Sequence, residues 1–84
     1  MNLQSRQIVI MNLFLGNKVH DCMQHPWLKL QSKTLLENEK GAMYIFIVYN
    51  RNKKEFFKCF VKAHEESNRC YSVMFSPVFK TKVA

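Results

Sequence analysis

Hydrophobic positions gather in four stretches of the chain, and each predicts an element. Between Gln7 and Leu15 the residues are mostly β-branched or large and apolar with no 3.6-residue period, which predicts a buried N-terminal strand. Gly16-Asn17 then reads as a turn. His25-Pro26 ends any helix, because the proline ring disfavours the α region for the residue before it. Ser32 to Lys40 predicts a short helix: Ser32 is an N-cap acceptor, Leu35 and Leu36 form an apolar side, Lys40 suits the C-terminal dipole, and Gly41 stands where a C′ residue belongs.

The pattern then changes period. Tyr44 to Tyr49 is a continuous apolar run of β-formers, Asn50 to Lys54 a polar turn, and Glu55 to His64 an alternating segment. Glu65 to Arg69 makes a second turn, and Cys70 to Phe79 alternates around Tyr71, Val73 and Phe75 until Pro77 weakens the ladder. Strands joined by short polar turns over residues 43–80 imply an antiparallel β-meander. Glu55 to Glu66 also fits a helix through Phe56, Phe60 and Ala63, but the alternation favours a strand. The expected fold is α+β: a meander with an N-terminal strand over residues 7–15 and one short helix over 32–40. At 84 residues the chain is expected to be a single small domain over residues 1–84, because cores split only at several times that size.

Composition sharpens this picture. A hydrophobic share of 48% is too high for simple disorder and, with 23% charged residues, too low for a multispan membrane protein. The formal charge is +7, and it is uneven: residues 41–84 carry eight basic against three acidic side chains, residues 1–40 five against three. That basic half also holds every aromatic except Phe14 and Trp27. Only Gly16 and Gly41 are glycine, so neither a P-loop nor a dinucleotide fingerprint can be written. Cys22, Cys59 and Cys70 are odd in number and irregularly spaced, which favours a reducing compartment, cytosol or nucleus, with thiols acting as small apolar groups. The run from Ile8 to Leu15 after Arg6 resembles the start of a signal peptide but is too short and too interrupted for one or for an anchor, so neither is expected.

Candidate chemistry concentrates on the alternating strand. A period of two places Phe57, Cys59, Val61 and Ala63 on one face, and Phe56, Lys58, Phe60 and Lys62 on the other. The first face is a core. The second interleaves rings with ammonium groups, a surface that stacks bases while attracting phosphates, and Arg51, Lys53 and Lys54 in the adjacent turn extend its field. The plainer reading makes Lys58 and Lys62 guards against edge-to-edge aggregation, with Phe56 and Phe60 covered by the N-terminal segment. The signature of the RNA-recognition motif fails, because its glycines and second helix are absent.

His20, Asp21, Cys22 and His25 form the densest group of metal-ligand types, but no second pair stands at a zinc-site spacing, so no metal is expected. No cofactor is expected either. Nothing frames an oxyanion hole or a carboxylate pair, so an enzyme is not expected. Asp21-Cys22-Met23-Gln24-His25-Pro26-Trp27-Leu28 resembles a segment near the end of the C-lobe in calcium/calmodulin-type protein kinases, where Trp packs on the lobe. The likeness stops there: the chain has no glycine loop, His-Arg-Asp or Asp-Phe-Gly, so no kinase activity is implied. Trp27 is then an anchor of the core beside Pro26 and Leu28.

The functional expectation is a binding protein for an anionic partner, with single-stranded nucleic acid as the first candidate, through the seven residues Arg51, Lys53, Lys54, Phe56, Lys58, Phe60 and Lys62. Two readings compete with it. One is an orphan short reading frame, since abundant Lys, Phe and Asn with few Gly and Ala also fit unselected translation of AT-rich sequence. The other is attachment to a membrane surface through Ile8 to Leu15.

Overall fold

The computed structural model describes residues 2–76, which form two helices and one four-stranded sheet. Helix α1 spans Leu3–Phe14 and α2 Val19–Cys22; the strands are β1 Leu28–Leu36, β2 Gly41–Tyr49, β3 Glu55–His64 and β4 Cys70–Phe75. They lie in the order β1-β2-β3-β4, each antiparallel to its neighbour, so the domain is α+β and its sheet is a meander. Both polar turns join the strands they were expected to join, and β3 settles the choice between strand and helix in favour of strand. Pro77 to Phe79 lie outside the described residues.

The N-terminal segment departs from expectation: residues 7–15 are not a strand but belong largely to α1. Its inward stripe is Leu3, Arg6, Ile10 and Phe14, a helical spacing that was hidden because Arg6 counts as polar while the outward Ile8, Val9 and Met11 are apolar. Asn2 caps the helix, its side-chain oxygen accepting from the Ser5 amide at 2.8 Å. No helix among the described residues is long and apolar enough to cross a membrane.

The short helix over 32–40 is also absent. Ser32 to Leu36 complete β1, and the turn that follows reaches Lys40. Local cues favoured a helix, but the pairing edge of β2 decides the conformation, since two isolated helical turns have no tertiary support. The left-handed position of the turn falls on Lys40, at φ 47°, rather than on Gly41. Gly41 is required for a different reason: it pairs with His64, and a Cβ there would stand 2.9 Å from the Ala63 carbonyl oxygen.

Burial follows the strand period. Tyr44, Phe46 and Val48 of β2 and Phe57, Cys59, Val61 and Ala63 of β3 point to one face, where Ile10, Phe14, Val19 and Cys22 of the helices close the core. In β4 a register shift opposite Lys62 and Ala63 brings Cys70 rather than Tyr71 into that core. Tyr71 instead donates to Glu39 Oε1 at 3.2 Å. The linker between the helices pairs with the start of β4 through Leu15 and Lys18. β1 is the opposite edge, exposed along nearly its whole length and interrupted by a bulge at Gln31.

Candidate nucleic-acid interface

Both helices pack on one face of the sheet, and no described element covers the other. Lys58, Phe60 and Lys62 are half-buried along β3 on this open face, and Phe56, also half-buried, stands at the bulge opposite Val48 and Tyr49, where it packs against the core. Cross-strand partners extend the surface: Phe60 sits between Ile45 and Met74, Lys58 opposite Ile47, and Lys62 between Met43 and Ser72. The covering of both rings by the N-terminal segment, the plainer expectation, holds only in part: Phe56 packs against the core and shares a cleft with Arg6 of α1, whereas Phe60 lies on the face away from the helices. Phe60 therefore keeps an accessible face between two ammonium groups.

The charges differ in availability. Lys62 Nζ stands 3.5 Å from Glu39 Oε1, whereas Lys58 has no carboxylate within salt-bridge distance among the described residues. A partly exposed pair such as Lys62–Glu39 is worth little, so it opens readily for a stronger anion.

Arg51, Lys53 and Lys54 are not in the row itself. They occupy the exposed β2–β3 hairpin tip. The tip is held in shape: Asn50 Oδ1 accepts from the amides of Asn52 at 2.9 Å and Lys54 at 3.1 Å, and Lys53 takes φ 61°. Arg51 meets the row at a cleft of about 280 Å³ lined by Arg6, Asn50, Arg51, Asn52 and Phe56.

Arg6 was not foreseen as part of this surface. Its guanidinium lies 3.5 Å from the Trp27 ring centroid, and Nη1 donates to the Tyr49 carbonyl at 2.9 Å, tying α1 to the hairpin. The signal was present in the sequence as the spacing Arg6, Ile10, Phe14, legible only once the segment is read as a helix. Trp27 is half-buried against the core, as expected of an anchor, and also serves as the plate under Arg6. Burial and the field of Arg51 lower the Arg6 pKa from its ordinary value.

The metal-ligand types of residues 20–25 are dispersed. The His20 ring meets Tyr44 edge-on, Cys22 Sγ is 3.4 Å from the carbonyls of Leu13 and Lys18, and His25 packs on Trp27. Among the described residues no three His, Cys, Asp or Glu side chains gather to hold a metal ion. The three thiols are buried and unpaired; burial pushes Cys59 up to about 12 and raises Cys22 and Cys70, so they behave as small apolar groups.

His25 provides a pH dependence. Its Nδ1 is 3.2 Å from the Trp27 amide and accepts that hydrogen bond when unprotonated, and burial followed by the charge of Arg6 lowers its pKa below the ordinary 6.5. Below that value the unfolded chain binds the proton more readily than the folded one. Stability should therefore be complete above about pH 7 and decline as the pH falls through the range below 6.5. Urea unfolding at pH 7.5 and 5.5 measures the difference, and His25→Gln should reduce it; an equal decline in that variant would remove His25 as the cause.

No protein-family model matches the chain, and neither a curated protein nor a solved structure matches it. The functional reading therefore stands on the geometry of the two surfaces just described.

Proposed function

We propose that the protein is a non-enzymatic binder of single-stranded nucleic acid, received on the open face of its sheet. The observation that carries this reading is the row Lys58, Phe60, Lys62, half-buried on a face that no described element covers, with Phe56 at the bulge that ends it. Bases that are already unstacked lie flat on such rings, and the interleaved ammonium groups meet the phosphates between them. A duplex cannot offer its base faces to the same row. The basic hairpin tip lengthens the path of the strand beyond Phe56.

Fluorescence anisotropy with a labelled oligothymidylate tests the reading. If three or four phosphates are met, affinity should fall about 20- to 50-fold between about 50 and 200 mM salt, from a slope of roughly −0.7 per phosphate. No measurable binding at low salt would remove the proposal.

A further inference from the structure

Arg6 is the only buried charged side chain among the described residues, at 6% exposure. Its Nε has no hydrogen-bond partner, and the only ion pair among the described residues, Lys62–Glu39, lies elsewhere. A buried cation is normally matched by a carboxylate or by a full set of acceptors, because removal from water costs several kcal/mol otherwise. Arg6 has one carbonyl and an aromatic plate. What stands beside it adds positive charge instead of cancelling it: Arg51 lines the same cleft.

The remaining walls suit one kind of ligand. Asn52 and the rigid turn around Asn50 offer polar groups, Phe56 offers a flat apolar one, and the cleft's volume of about 280 Å³ exceeds what one anion needs. A phosphate brings the oxygen acceptors that two guanidinium forks lack, and its remaining substituent falls towards Phe56.

We propose that the cleft between α1 and the β2–β3 hairpin tip binds the phosphomonoester of a nucleotide, Arg6 and Arg51 holding the phosphate and Phe56 facing the attached nucleoside. The inference rests on the single-strand reading for its choice of nucleotides. The anion site itself rests on Arg6. The same phosphate chemistry occurs in a free mononucleotide and at the 5′ end of a strand.

Guanidinium Nε–Hε resonances, followed by nitrogen-15 NMR, test the site in the whole protein with thymidine 5′-monophosphate, thymidine and 5′-phosphorylated trithymidylate. The monophosphate should shift the Arg6 and Arg51 signals saturably, and thymidine should not. Arg51→Gln, an exposed change that leaves the core intact, should weaken monophosphate binding about 10-fold or more. Tighter binding of the phosphorylated trinucleotide assigns the site to strand ends, and equal affinity assigns it to mononucleotides. An unshifted Arg6 signal, thymidine binding as tightly as the monophosphate, or Arg51→Gln without effect would each overturn the proposal. Loss of the monophosphate response alongside retained, salt-dependent oligothymidylate binding removes the cleft alone. A response to the monophosphate without oligothymidylate binding supports the cleft and removes the open-face reading.

Discussion

Phe57→Ala is expected to remove about half of the domain's stability. Phe57 is fully buried, edge-on to Phe75 at 5.4 Å between ring centroids and 5.3 Å from Phe56. Deleting a ring from such a site costs about 3–5 kcal/mol, because the cavity cannot collapse fully. A domain of this size has a margin of only about 5–10 kcal/mol, so the loss consumes much of it. Circular dichroism during a thermal melt reads the result. The wild type should show one cooperative transition, and Phe57→Ala should shift it down steeply. A gradual wild-type melt would instead favour the orphan reading frame. Phe60→Ala, three residues along the same strand but on the open face, should cost about 1 kcal/mol or less, as for loss of a cross-strand pair. Equal costs for the two variants would mean that the faces of β3 are assigned wrongly.

Phe60→Ala should show its effect in binding. Loss of one stacked base weakens oligothymidylate binding by about 5- to 150-fold, since base–aromatic stacking is worth roughly 1–3 kcal/mol. Lys58→Ala should reduce the salt slope by about 0.7, the contribution of one phosphate, with little change in stability. Lys62→Ala should reduce it less, because part of its charge is already spent on Glu39 at 3.5 Å. Unchanged affinity in Phe60→Ala would remove the stacking row.

The half of the chain rich in aromatics was legible because its chemistry is periodic. In β3 every second residue is apolar and small enough or flat enough for a core, so Phe57, Cys59, Val61 and Ala63 declare their side without help. The N-terminal half was misread where polarity and burial part company. Arg6 is charged yet buried; Ile8, Val9 and Met11 are apolar yet exposed, and together they erase the helical period of α1. β1 was misread for the opposite reason. Seven of its nine residues are exposed, so no periodic burial distinguishes Ser32 to Leu36 from a capped helix. Only its partner strand defines it. The Arg6–Arg51 cleft was invisible for a related reason: its walls come from positions more than forty residues apart, joined only when α1 docks against the hairpin.

The bulge at Gln31 has a consequence for how the molecule meets its own copies. An outermost strand of nine residues offers unpaired amides and carbonyls to any incoming extended chain. Here the hydrogen-bonding frame breaks one-third of the way along, and Lys29 and Lys33 stand on either side of the break. A copy attempting to add a fifth strand would find its register lost there and would place ammonium groups against ammonium groups. The break and its two lysines thus oppose the addition of a further strand along the β1 edge, so self-templating through that edge is disfavoured by the backbone itself.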